Sequence, residues 1–471
     1  MSVLGSRKIR RATAIAAGRL AAWASRAARA GGGTTLPGRL AMGMAPGLVA
    51  DLATRLPRGV VLVSGTNGKT TTARLLGGIL EAAGLETIHN RAGANLLSGI
   101  ASALIERASP GGRVDGTIGL FEVDEATLPG AVEATRPGVV ILLNLFRDQL
   151  DRYGEIDLVA ERWRRALAAM PQDATLVYNG DDPLVADVGG RFAGRTLIFG
   201  LEEAPEHGHE ARTLEHAADA RYCYRCGRLY EYTLVTLGHM GRYRCPQCGV
   251  GRPAPHVRAS GIRLHGADGS SLVLAFDGAR LGLTTVLPGL YNVYDVTAAA
   301  AGAMALEIDA QTILRGIEAT APAFGRGERV IQDGREMLFL LAKNPAGFNE
   351  VLRTVLLAAP EPVVLIAIND LVADGRDISW LWDVDFEMLR DRARAVVVTG
   401  LRAEEMALRL KYAGVAPDRI VLDRDGARAM ERARGLLRAG ERLYILPTYT
   451  AMLHLRAVLA RKGYVRGFWK Q

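Results

Sequence analysis

Short β-branched apolar runs alternate along this chain with longer stretches in which Ala, Leu and Arg recur at helical spacing. The runs Val60–Val63, Gly119–Val123, Val139–Leu145, Thr175–Tyr178 and Thr196–Phe199 are too short for helices. They carry little polar alternation, the mark of strands buried on both faces. Helical patterns such as Thr71–Ala83 and Ala160–Met170 fall between them. The alternation predicts an α/β central domain over residues 51–321, built on a doubly wound parallel sheet. Ile262–Leu264 and Leu272–Phe276, about an Asp268-Gly269 turn, predict a hairpin, and Ala298–Ala305 a helix. Pro and Gly cluster at Ala321–Gly327, and a second set of runs follows: Val363–Ile368, Ala395–Thr399, Ile420–Leu422 and Leu443–Leu446. These predict a smaller Rossmann-like α/β domain over 322–471.

Length and composition fit that division. At 471 residues, 49% hydrophobic and 23% charged, the chain is a globular protein with more than one core. No uncharged apolar run approaches the ~18 residues of a membrane span. The net charge of +8 is unevenly placed. No acid precedes Asp51, whereas Arg7, Lys8, Arg10, Arg11, Arg19, Arg26, Arg29 and Arg39 do. Residues 1–50 therefore read as a basic N-terminal arm. Arg19 breaks the apolar run begun by Ala14–Ala17, against a secretory signal. An organelle transit peptide, a basic amphipathic helix at an anionic membrane surface and an ordinary solvated helix all fit.

Where the first strand ends, the sequence turns to chemistry. Gly65-Thr66-Asn67-Gly68-Lys69-Thr70-Thr71 places a glycine-flanked turn and a Lys-Thr pair between a strand and a helix. That arrangement wraps backbone N–H groups around a phosphate at a helix N-terminus. Lys69 would reach the β/γ-phosphates of ATP, and the Thr70 hydroxyl would ligate Mg²⁺. The chain has only six lysines, so one at this position is poorly explained by chance. Glu122, at the end of a neighbouring strand run, is placed to hold a second Mg²⁺.

Cys223, Cys226, Cys245 and Cys248 are the only cysteines, spaced as two C-x₂-C knuckles. Glycine follows the second cysteine of each knuckle, as a ribbon folding back around a metal needs. Two knuckles hold four thiolates tetrahedrally, so a structural zinc is expected, closed to catalysis. Two disulfides or an iron–sulfur centre are the alternatives. The polar tract around them, about 205–258, reads as an insertion into the central domain. Tyr222, Arg225, Tyr230, Tyr232, Arg242 and Tyr243 would permit it to dock a protein or nucleic acid.

The short glycine loop, whose position five residues before the second glycine is Val63, resembles the ATP loop of the Mur ligase family. Further elements match that family in order. Phe121-Glu122-Val123-Asp124-Glu125 resembles its Glu-x-Ser-Ser element, which implies metal binding by Glu122. Asn144-Leu-Phe-Arg-Asp148-Gln149-Leu-Asp151-Arg-Tyr153-Gly resembles Asn-x-x-x-Asp-His-Leu-Asp-x-His-Gly, with both histidines replaced. Asn179-Gly-Asp181-Asp182-Pro183 matches Asn-x-Asp-Asp-Pro. Gly289-Leu-Tyr-Asn292-Val-Tyr-Asp295 is similar to Gly-x-His-Asn-x-x-Asn, which implies adenine contact by Asn292. Gly325-Arg326-Gly-Glu328 implies that Arg326 meets ATP. Lys343 stands where the family has histidine, in Ala342-Lys343-Asn344-Pro345. The carbamylated lysine of amino-acid-adding members is missing, because no lysine occurs in Glu155–Met170.

A Mur scaffold with a four-cysteine insertion, no such lysine and the run Asn369–Trp380 resembles one branch, the synthetase subunits of lipid II isoglutaminyl synthases. The resemblance implies a bacterial cytoplasmic ligase that uses ATP, Mg²⁺ and glutamine to amidate the α-carboxylate of D-glutamate in lipid II. It implies a GatD-like class I glutamine amidotransferase partner, possible contact with the inner face of the membrane, and no nucleic acid. It also implies that Asp377 completes the partner's Cys-His pair, with Asp370 and Asp374 as rivals. The physical logic agrees: a cysteine-free synthetase must borrow its glutaminase, and an acid in trans would orient the partner's histidine. An amino-acid ligase of the Mur or folylpolyglutamate type, or a non-catalytic nucleotide-binding scaffold, are the alternatives. Intact Lys69, Thr70, Glu122 and Arg326 favour an enzyme over a scaffold.

Overall fold

A computed structural model describes residues 3–27, 35–90, 93–147, 156–205, 214, 218–322 and 325–465. Among them β1 (Val60–Ser64), β2 (Thr87–His89), β3 (Ile118–Val123), β4 (Val139–Leu142), β5 (Thr175–Asn179) and β6 (Arg195–Leu201) pair in parallel, in the order β2-β3-β1-β4-β5-β6. All five residues of β1 and all six of β3 are buried, because helices cover both faces of the sheet. The sheet then continues beyond the predicted part. β9 (Val257–Leu264) pairs parallel with β6, and β10 (Ser270–Phe276) and β11 (Ala279–Thr285) follow antiparallel, giving nine strands in a mixed sheet. The burial of β10 alternates strictly, as in a strand with one solvated face.

The helices Lys69–Ala82 and Leu290–Ala305 fill one side of this sheet. Leu290–Ala305 is almost wholly buried. Its run of alanines allows close approach of neighbours on every side. Helices Leu97–Arg107, Leu128–Thr135 and Ile156–Leu167 pack on the other side.

Residues 1–50, expected as an arm, contain two helices that dock on the central domain. Val3–Ala27 and Leu36–Met44 bury Ala14, Ile15 and Ala41 in the same core as Ile100 and Leu104. Arg11 donates to the Gly111 carbonyl (3.0 Å) and Arg19 to that of Ala108 (3.2 Å). Part of the basic surplus is thus spent on the central domain.

The second domain has six strands in the order β12-β13-β17-β14-β15-β16. β14 (Val363–Ala367), β15 (Ala395–Thr399), β16 (Ile420–Leu422) and β17 (Leu443–Pro447) are the expected parallel runs. β12 (Arg326–Gln332) and β13 (Arg335–Leu340) form an antiparallel hairpin on the edge that the apolar pattern did not predict. Between β6 and β9, β7 (Glu231–Leu237) and β8 (Met240–Arg244) make a separate two-stranded ribbon.

Candidate active site and metal centre

A cavity of about 500 Å³ opens between the two domains, lined by Thr66–Thr71 on one side and by Arg326, Lys343, Ala373 and Tyr449 on the other. The glycine loop floors it. Gly65 (φ 145°) and Gly68 (φ 89°) hold backbone conformations that L side chains rarely adopt. A Cβ on Gly68 would collide with the Asp295 carboxylate, so the loop passes that acid only as glycine. The loop is pinned from β4's end. Thr66 N donates to the Asn144 carbonyl (2.9 Å), Asn67 N to Asn144 Oδ1 (2.9 Å), and Phe146 N to Thr66 Oγ1 (3.0 Å).

The charged groups satisfy one another. Lys69 Nζ donates to Glu125 Oε2 (2.9 Å) and to the Gly65 and Thr66 carbonyls. Burial would push the Glu125 carboxyl up, but the ammonium groups of Lys69 and Lys343 and the Lys69 hydrogen bond hold it below its usual range. Thr70 Oγ1 donates to Glu122 Oε2 (2.8 Å), which joins the two residues expected at Mg²⁺. Asn90 grips Glu122's backbone in both directions, accepting from its N–H (2.9 Å) and donating to its carbonyl (2.8 Å). The other carboxylate oxygen of Glu122 is buried with no hydrogen-bond partner among the described residues. That atom fits a cation. His89 Nε2 lies 3.8 Å from it, and burial lowers the His89 pKa, leaving the imidazole a weak competitor for the site. Arg326 has a buried guanidinium nitrogen at the cavity wall without a hydrogen-bond partner among the described residues, fitting an anionic ligand.

Asp295 is the buried oddity. Burial raises its pKa to about 8 despite Arg326 and the hydrogen bond from Thr72 (3.2 Å). A protonated acid there does not repel a phosphate. Asn292 lies in the same helix but does not line the cavity; its amide donates to the Pro288 carbonyl (2.6 Å), while Tyr291, Tyr294 and Asp295 face inward. Asp148, Gln149, Asp151 and Tyr153 lie outside the described residues.

Of the three acids in the C-terminal run, two are occupied internally. Asp370 is clamped by Arg402, whose Nε donates to it (2.9 Å). Asp374 is buried and accepts from Thr450 N (2.7 Å) and Thr450 Oγ1. Asp377 stays exposed and, among the described residues, accepts from Ser379 N (2.8 Å) and Ser379 Oγ (2.9 Å) at the start of the short helix Ser379–Asp383.

The four cysteines converge as free thiols. All four sulfurs lie within 4.8 Å of one another, an arrangement that could hold one metal ion. Gly227 and Gly249 both take φ 74°, closing the two knuckles. The N–H of Cys248 donates to Cys245 Sγ (3.5 Å), which suits a thiolate there. Of the aromatics expected to form a docking surface, Tyr230, Tyr232 and Tyr243 are spent on the ribbon itself, while Tyr222 stays exposed. Tyr230 and Tyr243 are buried with ring centroids 5.1 Å apart, and Tyr232 donates to the Ala220 and His239 carbonyls.

Several site residues were not singled out in advance. Asn90, Glu125 and Asn344 act through partners far along the chain, Asn344 Nδ2 donating across the cleft to Asn67 Oδ1 at 2.9 Å. Glu125 had a signal in the acidic cluster after β3, but its pairing with Lys69 had none.

A glycine loop on β1, an acid on β3 and an arginine on a second α/β domain across a cleft define the Mur ligase class. Known proteins agree. Residues 63–244 match the Mur ligase middle domain and residues 341–452 the MurT ligase C-terminal domain. The chain is similar to the lipid II isoglutaminyl synthase (glutamine-hydrolyzing) subunit MurT of Staphylococcus aureus strain COL, with 36% identity over 86% of this chain and 89% of that one. The protein of the same name from Streptococcus pneumoniae strain R6 is 32% identical over 93% and 95% of the two chains. Among solved structures, a pseudomurein peptide ligase type C from Methanothermus fervidus shares the fold, with a TM-score of 0.64 at 23% identity over 86% of this chain and 78% of that one. The chain belongs to the MurT family of Mur ligases.

Proposed function

We propose that this chain is the ATP-dependent synthetase subunit of a lipid II isoglutaminyl synthase, working with a GatD-like glutamine amidotransferase. The observation that carries this reading is the loop 369–380. Val372 and Ala373 line the nucleotide cavity while Asp377, a few residues on, faces solvent. One loop therefore touches both halves of a coupled reaction. In the synthetase half, the α-carboxylate of D-glutamate attacks the γ-phosphorus of ATP and ADP leaves. Ammonia then adds to the acyl carbonyl, loses a proton and expels phosphate, leaving the amide. Lys69, Arg326 and the loop N–H groups bind and orient the phosphates. Mg²⁺ held by Thr70 and Glu122 would neutralise charge on the phosphoryl oxygens. In the partner's half, Asp377 would orient a histidine and stabilise its imidazolium.

A docking surface adjoins Asp377. Trp382 and Tyr412 are 54% and 69% exposed and pack edge to face, with Arg409 stacked on Trp382. Arg409 is itself buried and bonded to Glu387, so the two exposed aromatics are the anchors a partner subunit would bury. The test of the function is reconstitution with a GatD-like subunit, Mg-ATP, glutamine and lipid II. Amide should form in proportion to glutamate released. ATP hydrolysis without amide, with either glutamine or ammonia, would overturn the reading.

The metal at the cysteines is zinc in this proposal. The shortest sulfur separations, 3.4 and 3.5 Å, are near the ~3.8 Å edge of a tetrahedron with Zn–S of about 2.3 Å. Metal analysis should give one zinc per chain, lost on changing Cys223 and Cys226 to Ser.

Contact with the membrane completes the proposal. No described helix is long and apolar enough to cross a bilayer. Helix Val3–Ala27 nevertheless exposes Ile9, Thr13, Ala16, Leu20 and Trp23 along one stripe, at 57%, 64% and 65% for Ile9, Leu20 and Trp23. Leu36, Leu40 and Met44 form a second exposed stripe on the adjoining helix. Basic residues without acids flank both, which fits an anionic surface. The double variant Leu20→Glu/Trp23→Glu should sharply reduce sedimentation with phosphatidylglycerol vesicles. Unchanged sedimentation would leave these helices a purely structural cover.

A further inference from the structure

The metal ribbon, an insertion by sequence, reaches the nucleotide cavity. Its hairpin is inserted tip first: β7 is exposed or half-buried near the cysteines and fully buried from Val235 to Leu237. The turn Leu237-Gly238-His239-Met240 lies inside the central domain, with His239 wholly inaccessible. Leu237 and Met240 line the cavity beside Phe146 and Tyr294. Every part of that turn is fastened to a motif already on the nucleotide side. His239 packs on Phe146 (4.5 Å between rings), whose backbone bonds Thr66 in both directions. Asn179 Nδ2 approaches Met240 Sδ (3.3 Å), and Gly241 N donates to the Asp181 carbonyl (2.9 Å). Thr236 Oγ1 meets the Tyr294 hydroxyl at 2.6 Å, and that hydroxyl donates to Asp181 (2.8 Å).

We infer that the ribbon's hairpin is a wall of the nucleotide site, with Leu237 and Met240 as specificity-determining residues against which the purine of ATP rests. The inference rests on the nucleotide reading above. With phosphates on Gly65–Thr70, the Thr70–Glu122 flank is polar and occupied by metal ligands. Leu237, Met240, Phe146 and Tyr294, with Tyr291 and Leu96, are the apolar and aromatic residues that the phosphate-holding domain puts into the cavity, the first four gathered at the hairpin tip, and the base is the flat, weakly polar end of the ligand. The metal clamps the two ends of the hairpin, since Cys223 and Cys226 precede β7 and Cys245 and Cys248 follow β8. Holding the base fixes the tip, which keeps the wall in place before the ligand arrives.

The experiment uses the full chain with its partner and measures binding of Mg-ADP and, separately, Mg-tripolyphosphate, which lacks the base. Met240→Ala and Leu237→Ala should each weaken ADP about tenfold while tripolyphosphate changes less than twofold. Met240→Leu, of nearly the same volume and polarity, should restore ADP binding. The metal-free Cys223→Ser/Cys226→Ser chain should show the same split between the two ligands. Unchanged ADP affinity in the alanine variants overturns the wall. An equal loss of both ligands also overturns it, because the hairpin would then merely prop the phosphate loop. ADP binding that survives Lys69→Ala would instead sink the nucleotide reading itself.

Discussion

The floor of the cavity and the loop carrying Asp377 hold their acids in opposite ways. On the floor, Glu125 is buried and paired with Lys69, and Glu122 is buried and accepts from Thr70 while its other oxygen is left for a cation. In the loop, Asp370 and Asp374 are likewise committed, but Asp377 is left in water with a local serine cap. Burial makes a charge expensive unless paired, so the synthetase groups are preorganised within one chain. An exposed acid needs no partner to be stable, which leaves it available to a second subunit. If Asp377 serves a partner as proposed, a self-contained site and a half-site differ chiefly in desolvation.

Breaking the floor should have the largest effect. Lys69→Ala is expected to reduce ATP turnover by roughly 10³-fold or more. It also strands the buried Glu125, so the variant should lose on the order of 3–5 kcal/mol of stability. Lys69→Met/Glu125→Gln should recover the stability measured by denaturant titration and none of the turnover. Wild-type turnover in Lys69→Ala would remove the phosphate-site assignment.

Asp377→Asn attacks the half-site and should leave the floor alone. Glutamine hydrolysis by the complex is expected to fall roughly 10²–10⁴-fold, with ADP binding unchanged. High free ammonia should restore amidation, because it bypasses the glutaminase. Failure of that rescue with intact ADP binding would place Asp377 in the synthetase instead. Asp374→Asn sharpens the contrast: its buried bonds to Thr450 predict a stability loss in the synthetase alone.

Weaker still is the expected effect of Trp382→Ala on assembly. Loss of an exposed aromatic anchor should weaken the subunit complex about tenfold or more by analytical ultracentrifugation, without altering ADP binding. An unchanged dissociation constant would move the interface elsewhere.

The smallest effect concerns a proton. Asp295 has a folded pKa of about 8, above the ordinary 3.8, because burial favours the neutral acid. The folded state therefore holds this proton more tightly than the unfolded one. The resulting stability is fully present below about pH 4 and is lost as pH rises through 8. Asp295→Asn should flatten this dependence, giving little change in melting temperature at pH 4, a value above wild type by pH 6 and the largest difference at pH 9. Parallel pH profiles for the two proteins would show that Asp295 ionises normally.

The sequence alone determined the features written in consecutive residues. The glycine loop, the two cysteine knuckles and the parallel runs of both domains were legible because strand burial, tight turns and thiolate spacing are local demands on residue type. Only the tertiary structure decided the rest. The β12–β13 edge hairpin was missed because charged residues occupy its one solvated face and dilute the apolar signal. Phosphate-loop partners such as Glu125 and Asp295 lie 56 and 223 residues from the groups they bond. No spacing rule spans such distances; sheet order brings the groups together. The docking of the basic N-terminal helices was not legible because charge was counted without the carbonyls that receive Arg11 and Arg19. The ribbon looked like an appendage because its cysteines are the visible part, whereas Leu237 and Met240 are ordinary apolar residues until the hairpin is folded inward. Burial and proximity are properties of the packed chain, and they choose which ordinary residues become a site.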